Sequence, residues 1–124
     1  MGHGPIRKGE HKPLEEKMSE REAVIVSACR TAVGSFGGTL KEVHAYKIAA
    51  TTMREAIRRA GIPADIIDDV RYGCCMEPYD ALNTARVAAL EAGVSDQSTA
   101  VTINRVCISG MEAAVSGMAM IKTG

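Results

Sequence analysis

Short apolar runs alternate with stretches whose apolar residues recur every three or four positions, and this alternation constrains the fold most. Ala23-Val24-Ile25-Val26-Ser27-Ala28 is a continuous apolar run, the pattern of a strand buried on both faces. A Gly-rich loop follows from Arg30 to Thr39. Ala45, Ile48, Ala49, Thr52, Met53, Ala56, Ile57 and Ala60 then line one helical face. Gly61 and Pro63 predict where that helix stops. A turn and a second strand are predicted between Ile66 and Cys74. Asn83 to Ala92 reads as a second helix, with Val87, Ala88 and Leu90 inside and Gly93 as its stop. Ala100 to Asn104 reads as a third strand. Cys107 to Lys122 reads as a third helix, in which Ile108, Met111, Val115 and Met118 form the apolar series and small residues keep the helix thin.

The order β-α-β-α-β-α predicts an α/β chain with right-handed crossovers and a parallel, three-layer arrangement. In doubly wound folds the first strand lies centrally and pairs on both sides. Three strands satisfy only one side of it, and an open edge of Ala-Val-Ile-Val is a sticky template. The pattern therefore predicts part of a larger fold.

The 124 residues suffice for one modest domain. Residues 1–20 are polar, of mixed charge and rich in Gly and Pro, and are expected to be a mobile tail. Residues 21–124 hold the partial domain. The only aromatic residues are Phe36, Tyr46, Tyr72 and Tyr79, so the core must be built from Ala, Val, Ile, Leu and Met. Lys plus Arg and Asp plus Glu both number 15, which argues against nucleic acid and anionic membranes as partners. No apolar run is long enough for a membrane span or a signal peptide, so the expected location is the cytoplasm. Cys29, Cys74, Cys75 and Cys107 include no C-x-x-C pair, so neither a disulfide framework nor a metal site is expected. Three of them read as buried free thiols. His3 and His11 read as solvated and His44 as a surface residue, none of them a ligand.

Residues 102–111 read T-I-N-R-V-C-I-S-G-M. A strand ends there, and Cys107 is predicted in the first turn of a helix. Unpaired N–H groups and the positive end of the helix dipole favour thiolate over thiol at such a position. The backbone N–H of such a residue can also bind an oxyanion. On the residues alone two readings stand open: a small buried Cys at a strand–helix junction, or an activated nucleophile.

Three collinear motifs resemble the thiolase family. Val26-Ser27-Ala28-Cys29-Arg30-Thr31-Ala32-Val33-Gly34-Ser35-Phe36-Gly37-Gly38 is similar to its opening V-S-A-x-R-T-x-x-G-x-F-G-G. Asn83-Thr84-Ala85-Arg86 resembles its N-x-A-R segment. Asn104-Arg105-Val106-Cys107-Ile108-Ser109-Gly110 matches its N-x-x-C-x-S-G. The match runs from about Glu22 to the last residue and covers the first third of a family member. The resemblance implies a partial thiolase N-terminal domain. It implies Cys107 as the nucleophile that takes an acyl group from a coenzyme A thioester, with its N–H as one oxyanion donor. Coenzyme A thioesters would be substrates, and no bound cofactor is implied. The residue after the nucleophile is usually Gly or Ala in the family and is Ile108 here; its spacing with Met111 and Val115 predicts that it points into the core.

The family's catalytic His, second Cys and second His fall outside this match. The resemblance thus implies a complementary large subunit that supplies them. It also implies an assembly with a dimer contact near Ala100–Asn104. Two other readings stand beside it. One is a noncatalytic thiolase-like scaffold, against which the retained Cys107 counts, or an inactive fragment. The other is a nucleotide-binding module, but Gly34-Ser35-Phe36-Gly37-Gly38 is neither G-x-G-x-x-G nor a P-loop.

Overall fold

The computed structural model describes residues 21–124. The expected tail, with His3 and His11, lies outside the described residues. The sequence periodicity of the first helix is realised as α1, Ala45–Ala60. Gly61 closes it in the left-handed conformation, with φ 68° and its N–H donated to Arg58 and Ile57 carbonyls, a geometry that glycine adopts without a Cβ penalty. A single 3₁₀ turn, Ala64–Ile66, leads to β1, Asp69–Gly73. Helix α2, Thr84–Ala92, starts at Asn83, whose side chain accepts the Arg86 N–H, and ends at Gly93 with φ 88°. Strand β2 is Thr99–Ile103, and α3 is Ser109–Thr123.

β1 and β2 pair in parallel, with Asp69 opposite Thr99 and Gly73 opposite Ile103. The pleat sorts the side chains of β1. Val70 and Tyr72 pack toward α1 and α2, where Ala49, Ala50, Ala88, Ala89, Ala92 and Val94 form the core. Arg71 and Gly73 meet α3 instead. Helices thus cover both faces of a small parallel sheet, and the α/β class expected from the pattern is the one observed.

The core is narrower than the composition implies. Every residue of the α1–α2 contact that is buried outright is an alanine, and the largest fully buried side chain in the described residues is Thr84. Alanine at each meeting point lets the two backbones approach closely and leaves no room for Leu or Ile. Leu90, expected inside α2, is exposed, because Ala88, Ala89 and Ala92 already occupy the inward arc.

The expected first strand differs most. Residues 23–28 form no regular element and belong to no ladder, since the sheet of the described residues has two strands paired with each other. The run is held by side chains of α1 and its own: Ser27 Oγ donates to the Ala56 carbonyl at 2.7 Å, Cys29 Sγ to that of Thr52 at 3.2 Å, and Arg59 donates to the Ala28 carbonyl at 3.1 Å. An apolar run buried on both faces requires neighbours on both sides. Without them Val24, Ile25 and Val26 remain exposed.

Candidate active site

Five residues, 104–108, carry the chain from β2 into α3. Cys107 stands two positions before the first helical residue, not within the first turn as expected, and Ile108 takes the N-cap position. The local hydrogen bonds explain the shift. Asn104 Oδ1 accepts the Val106 N–H at 3.0 Å, an Asx turn. Ser109 Oγ accepts the Arg105 N–H at 2.8 Å and donates to the Val106 carbonyl at 2.6 Å. The N–H groups of Ile108 and Ser109 donate to Arg105 and Val106 carbonyls at 3.2 Å each. These bonds close a tight turn around Cys107 before α3 begins.

Val106 has φ 51°. A β-branched residue in the left-handed region carries strain of about 1–3 kcal/mol, and such strain persists only where surrounding bonds over-determine it. Here both the Val106 N–H and its carbonyl are engaged by side chains, those of Asn104 and Ser109. Within 105–109 the amides of Arg105, Val106, Ile108 and Ser109 each have a partner. Among the described residues that of Cys107 has none. Cys107 itself is exposed. The turn therefore exposes Cys107 and leaves its N–H without a protein partner among the described residues, and such an N–H can stabilise an oxyanion formed on a carbonyl bound there.

The turn is anchored from behind. Asn104 Nδ2 donates to the Cys75 carbonyl at 3.2 Å, tying it to the loop that leaves β1. The Cys74 N–H donates to the Ile103 carbonyl at 3.0 Å. A Cβ built on Gly73 would stand 2.3 Å from the backbone of Ser109 and Gly110, so only glycine lets the start of α3 press against the end of β1. Arg105 donates to the Glu112 carboxylate across the first turn of α3. Upstream, Asn83 joins α2 to β2: its Nδ2 donates to the Ala100 carbonyl at 3.1 Å, and its Oδ1 accepts from Thr102 Oγ1 at 2.9 Å. Arg86 spans the Ser98 and Asp96 carbonyls at 2.8 and 2.9 Å.

Several expectations change. Ile108, expected in the core, is 52% exposed, and Met111, Val115 and Met118 are exposed with it. The face of α3 that meets the sheet is made of small residues, with Ser109 and Ala113 buried, so the large apolar series points away. Cys75 is exposed, whereas Cys29 and Cys74 are half-buried. His44 is a surface residue as expected: its Nδ1 lies 2.6 Å from the Asp80 carboxylate, and its ring stacks on Tyr46. Burial raises the Tyr72 hydroxyl pKa, with the neighbouring Cys74 adding to it. Gly73 and the clamping roles of Asn104 and Ser109 escaped the sequence reading. A glycine at a strand end was the only signal for the first, and a polar residue on each side of the Cys for the other two.

This strand–turn–helix, on a parallel sheet with helices on both faces, defines an α/β protein with a cysteine exposed just ahead of a helix. The thiolase N-terminal domain matches residues 23–124, and the chain belongs to the thiolase family. It is 48% identical over 104 residues to an acetyl-CoA acetyltransferase of Syntrophomonas wolfei, covering 84% of this chain and 26% of that protein. It is also 48% identical over 91 residues to an acetyl-CoA acetyltransferase of Clostridioides difficile, covering 73% of this chain and 85% of that sequence. The crystal structure of the Bacillus anthracis acetyl-CoA acetyltransferase superposes with a TM-score of 0.78 at 42% identity, over 82% of this chain and 26% of that one. The chain thus spans about a quarter of the length of the Syntrophomonas and Bacillus proteins. No helix among the described residues is long and apolar enough to cross a membrane.

Proposed function

We propose that this chain is the nucleophile-bearing part of a thiolase, an acetyl-CoA C-acetyltransferase that joins or cleaves acyl-CoA. The observation that carries the reading is Cys107, exposed on a turn whose other four amides are all engaged. The Cys107 thiolate attacks the thioester carbonyl carbon of an acyl-CoA. The carbonyl oxygen takes the negative charge and is held by the Cys107 N–H. When the tetrahedral intermediate collapses, the bond to the coenzyme A sulfur breaks. Coenzyme A leaves as a thiolate that takes up a proton, and the acyl group stays on Cys107. A second acetyl-CoA, deprotonated beside its carbonyl, then attacks the acyl carbon. A new carbon–carbon bond forms and the Cys107 thiolate departs. Cleavage runs the same steps backwards.

The base for Cys107, and the Cys and His that handle the second substrate, are supplied on this reading by a complementary large subunit. The exposed apolar residues of α3 and of 23–26 support such a partner. β2 has β1 as its one ladder partner among the described residues, which suits a dimer contact near Ala100–Asn104. Coenzyme A thioesters are substrates, and no resident cofactor is needed. The cytoplasm, a reducing compartment, suits four free thiols.

Thiolysis and condensation by the complete assembly test this directly. Cys107→Ala abolishes turnover and leaves the assembly intact, whereas alanine at Cys29, Cys74 or Cys75 keeps most of it. A Cys107→Ala assembly that turns over at the normal rate removes Cys107 from the mechanism.

A further inference from the structure

We infer that Asn104 is a positioning residue for Cys107, its carboxamide holding Val106 in the left-handed conformation that precedes the exposed Cys107. The role rests on the reading of Cys107 as the nucleophile. Both ends of the carboxamide are engaged: Oδ1 accepts from the Val106 N–H at 3.0 Å, and Nδ2 donates to the Cys75 carbonyl at 3.2 Å. The first bond sets the orientation of the peptide next to Cys107. The second fixes the turn to the loop leaving β1, so the turn cannot swing as a unit. Val106, with φ 51°, disfavours this conformation by itself. Ser109 holds the other side of Val106 through its carbonyl but makes no bond to the amide. Without Asn104 the residue before the nucleophile is free to relax toward negative φ, which shifts the Cys107 backbone and Sγ from their present positions. Asn104 acts through the backbone, so its loss alters the rate of acyl transfer more than the affinity for the acyl-CoA.

The geometry also specifies a rescue. Glycine at 106 enters the left-handed region without a Cβ penalty, so Val106→Gly relieves the strain that Asn104 opposes. Asn104→Asp keeps an acceptor for the Val106 N–H and loses the donor to Cys75. The experiment uses the full chain with whatever chains copurify with it. The rate of Cys107 acetylation by acetyl-CoA is followed by quenched-flow peptide mass spectrometry, with the dependence on acetyl-CoA concentration and the thermal midpoint of each variant alongside. Asn104→Ala lowers the maximal acetylation rate by roughly 10²-fold, the scale of a misplacement of about 1 Å, with the half-saturating acetyl-CoA concentration little changed. The double variant Asn104→Ala with Val106→Gly recovers most of the rate, and Asn104→Asp falls between wild type and Asn104→Ala. If Asn104→Ala does not assemble, the other two variants carry the test. Wild-type rates in Asn104→Ala, or a double variant no faster than the single one at equal thermal stability, overturn the positioning role and leave the nucleophile reading standing. A wild-type assembly that never acetylates Cys107 overturns the nucleophile reading and the positioning role with it.

Discussion

The α1–α2 face and the α3 face of the sheet are built to opposite rules. On the first, Ala49, Ala50, Ala88 and Ala89 are at most 1% exposed, and the helices close on each other through small side chains. On the second, α3 meets the sheet with Ser109 and Ala113 and turns its larger apolar residues outward, Met111 being 69% exposed; Ile25, in the run at 23–28, is 90% exposed. Val24, Ile25, Val115, Met118 and Ile121 border an open apolar groove of about 440 Å³ between them. Large apolar side chains contribute about 1.5–3 kcal/mol each when fully buried, and a continuous exposed patch marks a surface of interaction. One face is therefore closed among the described residues, and the other leaves its large apolar side chains open. The candidate nucleophile sits at the start of the helix that carries the open face.

Substitutions on the two faces sharpen this contrast. Gly73→Ala has the largest expected effect, about 3 kcal/mol of lost stability, because the new Cβ meets the backbone of Ser109 and Gly110 with no flexible side chain to yield. Chemical denaturation reads it as a lower midpoint at unchanged slope. Ala88→Leu follows, at about 1–3 kcal/mol, since the α1–α2 contact has no space for a branched side chain. A midpoint close to wild type for Ala88→Leu means that the alanine face is loosely packed and breaks the comparison. Asn83→Ala removes the N-cap of α2 and two bonds to β2, a loss of about 1 kcal/mol.

On the open face the signs separate. Met111→Ser changes the stability of the chain by itself by no more than about 0.5 kcal/mol, yet weakens the complete assembly in a dilution series. Equal stability losses for Met111→Ser and Ala88→Leu show instead that the α3 face is already buried. The smallest effect concerns acid. Arg58 and Arg59 hold the Glu55 carboxylate down to about 2 from an ordinary 4.5, through hydrogen bonds at 2.8 and 2.7 Å from Arg58 Nε and Nη2 and one at 2.6 Å from Arg59 Nε. A lowered carboxylate stabilises the fold above its unfolded pKa, and that increment fades as pH falls from 4.5 toward 2. The group is partly solvated and the increment small. Wild type therefore shows a slight acid-side decline in midpoint that Glu55→Gln lacks.

The sequence carried the fold class and most of its elements because local rules produce them. The three-four spacing from Ala45 to Ala60, closed by Gly61, becomes α1 to the residue. Asn83 and Gly93 bracket α2 as their capping chemistry requires. Periodicity identifies an apolar face without saying what meets it, and this is why Ile108, Met111 and Val115 were assigned to a core that the described residues do not close. The run at 23–28 has the composition of a central strand, but a strand exists through its ladder, and composition does not supply a partner. The site was legible in part. Its nucleophile candidate stood out through N-x-x-C-x-S-G. The turn itself did not, since no propensity places valine at φ 51° and the contact of Gly73 with α3 is purely tertiary.

On the proposed reading, another chain completes the open face and the exposed Cys107. Native mass spectrometry of the protein purified from its own source cells decides this. The expected result is a second chain at fixed stoichiometry that carries the catalytic His, Cys and His and dissociates when Met111 or Val115 is made polar. A folded monomer by itself, unfolding in one sharp cooperative transition, contradicts it.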